Sequence, residues 1–186
     1  MPILSAEIDI FPEDLLERDN VSRDETQWWA VYTRSRQEKE LMRSLVAMEV
    51  PFYCPVIPHR FRSPAGRLRT SHLPLFSNYV FMYADGYHRF RALKTNLISQ
   101  TIEVKDGEQL VHDLRQIRRL IQLNMPLSIE SSLVPGRQVR IKAGPLTGLD
   151  GVIVRRQGSD FLMVAVNFLQ QGALLKLDGT DVEPIA

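Results

Sequence analysis

The chain has 186 residues, 44% hydrophobic and 24% charged, the make-up of a soluble globular protein with room for one medium domain or two small ones. No apolar run approaches the roughly 18–20 residues of a membrane span, and residues 1–20 lack the basic-then-apolar layout of a secretory signal. The single cysteine, Cys54, excludes an intramolecular disulfide and suits a reducing, cytoplasmic setting.

The net charge of +1 is unevenly distributed: residues 1–25 carry eight acids and two bases, 26–124 fifteen bases and eight acids, and 125–186 six of each. The middle segment is therefore the candidate for contact with a polyanion. Residues 1–25 form an acidic extension, either a cover for that segment or a solvated tail.

Gln27–Thr33 (QWWAVYT) is rich in aromatic and β-branched residues and predicts a buried strand. From Ser35 the period changes, and Leu41, Met42, Leu45, Val46 and Met48 fall at helical spacing. Ser35 followed three residues later by Glu38 suits a capping box, and Pro51 stops the helix. Phe52–Phe61 predicts an edge strand broken by Pro55 and Pro58, and Ser63–Gly66 a turn. Leu75–Tyr83 (LFSNYVFMY) is the clearest strand in the sequence. Asp85-Gly86 opens a short helix to about Thr95, with Phe90 and Leu93 facing inward, and Ile98–Val104 returns as a strand. A helix over about 107–123 places Leu110, Leu114, Ile117 and Ile121 on one stripe.

The order β-α-β-β-α-β predicts an α+β fold, a ferredoxin-like split β-α-β domain with an antiparallel sheet over 26–124. Residues 125–134 predict a linker. Beyond it, short apolar runs at Val139–Lys142, Gly151–Arg155, Phe161–Val166, Ala173–Leu177 and Val182–Ile185 predict a small five-stranded barrel over 135–186.

Two segments carry a resemblance. The stretch from Val139 to Val154 (VRIKAGPLTGLDGVIV) resembles the KOW motif of SH3-like β-barrels. In it Gly144 and Gly148 allow tight turns, and Gly151 allows a neighbouring strand to approach. The same motif occurs in ribosomal proteins. Trp28-Trp29-Ala30-Val31-Tyr32-Thr33-Arg34-Ser35-Arg36-Gln37-Glu38-Lys39, with Pro74-Leu75-Phe76-Ser77-Asn78-Tyr79-Val80-Phe81 about forty residues on, resembles the N-terminal (NGN) domain of the NusG family of transcription elongation factors. The second phrase is closer to the specialised RfaH-like paralogues, although Ser77 replaces a proline common there.

The resemblance implies a transcription elongation and antitermination regulator. Its N-terminal domain would hold the clamp helices of the largest RNA polymerase subunit through Tyr32, Leu75, Phe76, Tyr79 and Phe81. Strand alternation places Tyr79 and Phe81 on one face. It also implies contact of Arg34 and Arg36 with non-template DNA, and a KOW domain that recruits a termination factor, a ribosomal protein or RNA. The charge pattern adds Lys39 and Arg43 at the same helix start, and a basic fingertip in which Arg60, Arg62, Arg67 and Arg69 flank the Pro64–Gly66 turn. A housekeeping elongation factor and a ribosome- or RNA-binding KOW module remain the alternatives. The four histidines are scattered, Cys54 with His59 and His72 matches no zinc-finger spacing, and no phosphate loop or nucleophile elbow is present. The expectation is a monomeric, non-enzymatic protein without metal, cofactor or membrane partner.

Overall fold

In the computed structural model, which describes residues 7–18, 25–177 and 182–185, the chain divides into two units, Met1–Gly107 and Glu108–Ala186. The first holds β1 (Ile10–Phe11), β2 (Gln27–Thr33), α1 (Glu38–Ala47), β3 (Phe52–Tyr53), β4 (Val56–Arg62), β5 (Leu68–Pro74), β6 (Tyr79–Ala84), α2 (Gly86–Leu93) and β7 (Ile98–Glu103). Helix α3 (Gly107–Gln122) opens the second, followed by β8 (Leu127–Glu130), β9 (Arg137–Ile141), β10 (Asp150–Arg156), β11 (Ser159–Val166), β12 (Gln171–Lys176) and β13 (Val182–Pro184). The division falls just after the first residue of α3, whereas the sequence carries the first domain on to residue 124.

In the first unit five strands pair in the order β1-β3-β6-β2-β7, all antiparallel. With β1 set aside, that is the strand order of the split β-α-β arrangement, with α1 and α2 as its connections. Strand alternation sorts the residues of β2 and β6 into two sets. Val31, Val80, Met82 and Ala84 join Leu41, Met42 and Leu45 of α1 and Ala92 of α2 in one core. Burying each of its large aliphatic side chains contributes about 1.5–3 kcal/mol. The opposite set is aromatic, with Trp28 paired to Tyr83, Ala30 to Phe81, and Tyr32 to Tyr79.

Several expectations change at this level. Residues 52–61 do not make one strand: β3 ends at Tyr53, and among the described residues β4 pairs only with β5, in a separate two-stranded sheet. The strand expected from Leu75 begins at Tyr79, because Asn78 takes a positive φ of 66°. No capping box forms at α1. Its N-cap is Gln37, without a side-chain bond, since Arg36 at φ 61° prolongs the loop. Phe90 points outward and is 55% exposed; Ala92 is the buried residue of α2, with Leu93 packed against the core.

The acidic extension is partly folded. Ile10 and Phe11 pair with Tyr53 and Phe52, Cys54 N–H donates to the Asp9 carbonyl at 2.7 Å, and Leu15 and Leu16 are buried. Residues 1–6 and 19–24 of that extension lie outside the described residues.

In the second unit all ladders are antiparallel, in the order β13-β9-β10-β11-β12-β8. The five runs expected beyond residue 135 appear as β9 to β13. The sixth strand, β8, lies inside the expected linker and takes the outer edge of β12. Among the described residues no ladder joins β13 to β8, so the sheet is open rather than a closed five-stranded barrel. Gly144 and Gly148 have φ of 85° and 83°. A Cβ on Gly151 would lie 2.7 Å from the Met163 carbonyl oxygen, so only glycine lets β10 approach β11 there.

Candidate functional site

The aromatic side of the first sheet is graded in depth. Phe81, Leu75 and Phe76 are fully buried, whereas Tyr32 is 36% exposed and Tyr79 half-buried. The last two meet edge to face, ring centroids 5.2 Å apart, a favoured geometry for aromatic pairs. Of the five aromatic and aliphatic positions singled out from the sequence, this pair is the accessible part, and the other three lie in the packed interior.

One carboxylate organises the surroundings of the pair. Glu38, buried at the start of α1, accepts from the Asn78 backbone N–H at 2.8 Å. The Asn78 carbonyl in turn accepts from Thr33 N–H at 2.8 Å, at the end of β2. The turn that presents Tyr79 is thereby tied both to the strand end beside Tyr32 and to the helix start. Sequence reasoning placed Glu38 in a cap and passed over Asn78. The usable signal was an asparagine, a residue that tolerates positive φ, just ahead of a strand.

The basic positions separate into three groups. Arg34 and Arg36 are exposed in the loop between β2 and α1, and Lys39 is half-buried. The Arg34 backbone N–H donates to the Leu97 carbonyl at 2.8 Å, which sets this loop beside the end of α2. Arg43 is already engaged: its Nη2 lies 2.5 Å from Glu7 Oε1 and its Nη1 2.7 Å from Glu40 Oε2. The Arg43 hydrogen bond holds the Glu7 carboxyl below its usual range, so among the described residues Glu7 of the acidic extension covers this cation.

The third group lies on the β4–β5 hairpin. Arg62 stands opposite Leu68, Phe61 opposite Arg69 and Arg60 opposite Thr70. Alternation therefore puts Arg60 and Arg62 on one face and Arg69 on the other, with Arg67 in the turn. All four are exposed, as are Phe61 and Leu68. No acidic residue occurs between Glu49 and Asp85. Cys54 is buried, and burial pushes its thiol far above the usual range, which leaves it an inert core group.

In the second unit, α3 is bonded to the loops of the sheet by polar side chains. Buried Asp113 accepts from the Asn167 N–H at 2.8 Å. Gln116 Oε1 accepts from the Asp150 N–H at 2.7 Å, and Arg119 donates to the Pro145 carbonyl at 3.1 Å. Arg140 grips Asp150 in two bonds of 2.6 and 2.9 Å, which holds that carboxyl below its usual range. The glycine-punctuated loop is thus anchored at both ends. Asp113 and Gln116 escape a hydropathy reading, because each sits on the polar border of an otherwise apolar stripe.

The fold is a mixed α/β one with antiparallel sheets, the first in split β-α-β order, and its accessible features are an aromatic pair and clustered arginines. Residues 26–135 match the protein-family model described as "Transcription termination factor nusG". That match spans more than half of the chain, which therefore belongs to the NusG family and is a transcription factor of that family. No curated protein matches it. No helix among the described residues is long and apolar enough to cross a membrane.

Proposed function

We propose that this chain is an elongation and antitermination regulator that binds RNA polymerase through the Tyr32–Tyr79 pair, docked on the clamp helices of the largest subunit. The observation that carries this reading is that pair: two large rings in mutual contact, Tyr32 36% exposed and Tyr79 half-buried, on a sheet face whose Trp28 and Phe81 are buried. Rings of this kind bury area at low side-chain entropy cost, which suits a partner helix. Leu75, Phe76 and Phe81 are buried, and would contribute packing rather than the contact itself. Arg34 and Arg36 beside the pair would meet exposed non-template DNA, as would the arginines of the hairpin.

The second unit would act as a KOW module of SH3-like type, recruiting a termination factor, a ribosomal protein or RNA. The protein would work in the cytoplasm as a monomer, without catalysis or a cofactor. The phrase Pro74–Phe81 favours a specialised, RfaH-like paralogue over the housekeeping factor. Retention of core RNA polymerase on the immobilised full chain tests the main reading. Wild type should retain it, and Tyr32→Ala/Tyr79→Ala should lose most of that retention while melting like wild type. A folded wild type that retains none overturns it. A genome-wide occupancy map confined to a few operons supports the specialised form, and uniform occupancy excludes it.

A further inference from the structure

Helix α2 carries a second aromatic surface that neither the aromatic pair nor the hairpin uses. Its inner side is settled: Ala92 is in the core, and Arg89 lies 4.4 Å over the Trp29 ring with its Nε donating to Thr101 Oγ1 at 2.9 Å. Tyr87, Phe90, Arg91 and Lys94 recur at i, i+3, i+4 and i+7 and so share the outer face. Tyr87 is 65% and Phe90 55% exposed. Each ring has a cation over it: the Arg91 guanidinium lies 5.8 Å from the Tyr87 centroid, and Lys94 Nζ lies 4.6 Å from that of Phe90. No acidic residue occurs between Asp85 and Glu103. Beyond the stripe, the chain leaving α2 meets the basic loop, where the Leu97 carbonyl accepts from Arg34 N–H.

A surface that pairs rings with cations, and contains no acid, selects a polyanion whose flat groups are open. Single-stranded nucleic acid is such a ligand, since its bases stack on aromatic rings and its phosphates meet cations. A duplex keeps its bases stacked inside and would satisfy only the cations. An acidic protein surface would satisfy the cations, and the retention of polymerase separates that outcome in the test below.

We propose that the Tyr87–Phe90–Arg91–Lys94 stripe of α2 is a stacking site for single-stranded nucleic acid, continuing the basic loop at Arg34 and Arg36. This extends the nucleic-acid contact proposed above to residues that reading does not use.

Fluorescence anisotropy of the full chain tests it, with a labelled oligothymidine of about twelve nucleotides, within the roughly 4–16-nucleotide site of single-strand binders. The matching duplex is the control. The single strand should bind more tightly than the duplex. Tyr87→Ala/Phe90→Ala should weaken single-strand binding by about tenfold or more, leave duplex binding and the melting curve unchanged, and be rescued by Tyr87→Phe/Phe90→Tyr. Arg34→Ala/Arg36→Ala should weaken both ligands and flatten the salt dependence. If Tyr87→Ala/Phe90→Ala binds the single strand as wild type does, the stacking site is overturned, while a loss on Arg34→Ala/Arg36→Ala would leave the earlier DNA contact standing. Loss of polymerase retention with unchanged oligonucleotide binding also overturns it, and assigns the stripe to a protein. Binding of neither ligand by wild type overturns both.

Discussion

The two faces of the first sheet are built from the same strands and differ in composition and in depth. On the helix side, Val31, Val80 and Met82 are aliphatic and sealed, and α1 and α2 complete their surroundings. On the other side the residues are aromatic and run from Phe81, wholly inside, to Tyr32, more than a third exposed. Within one strand, therefore, residues two apart on the same face divide between the packed interior and the accessible surface. Face is a matter of period, and depth is a matter of what surrounds each position.

Substitutions can break that comparison or refine it. Phe81→Ala should have the largest effect, a loss of about 3–5 kcal/mol in urea unfolding, as for other buried aromatic truncations. A value under 1 kcal/mol would mean that the aromatic side is not a core at all. Asp113→Ala in the second unit comes next: it leaves the Asn167 N–H without its partner, and should cost about 1–3 kcal/mol.

The cap of α2 offers a smaller and pH-dependent effect. Asp85 accepts from the His88 N–H at 2.8 Å, and that bond holds its carboxyl below the usual range. The stabilisation is thus complete above the ordinary aspartate pKa of about 4 and disappears as pH falls through the lowered folded value. Asp85→Ala should cost about 0.5–2 kcal/mol near pH 7. Asp85→Asn should keep most of the cap and flatten the acid limb of the stability–pH curve. Glu7→Gln should change least: by releasing Arg43 it should tighten single-stranded DNA binding about two- to threefold at low salt, an effect that vanishes as salt rises.

Much of this architecture is legible in the sequence. The aromatic and β-branched runs mark β2 and β6, the change to helical period marks α1, and glycines mark the turns before β10. Three features escaped for physical reasons. Alternation assigns Tyr79 and Phe81 to one face but is silent on depth, so the buried member could not be told from the accessible one. Helix α2 has only eight residues, too few to fix its inner side, and Phe90 fell outside. Strand β8 is four residues long and owes its existence to the edge of β12, so nothing local distinguishes it from a linker.

The bond from Glu38 to the Asn78 turn has a consequence for anyone seeking to re-engineer this factor. A single buried carboxylate ties the turn ahead of Tyr79 to the start of the helix that follows the arginine-bearing loop, so the two prospective recognition functions share one foundation. Altering the exposed side chains should retune each partner independently, whereas a change at position 38 would shift both together and read, misleadingly, as evidence of communication between them.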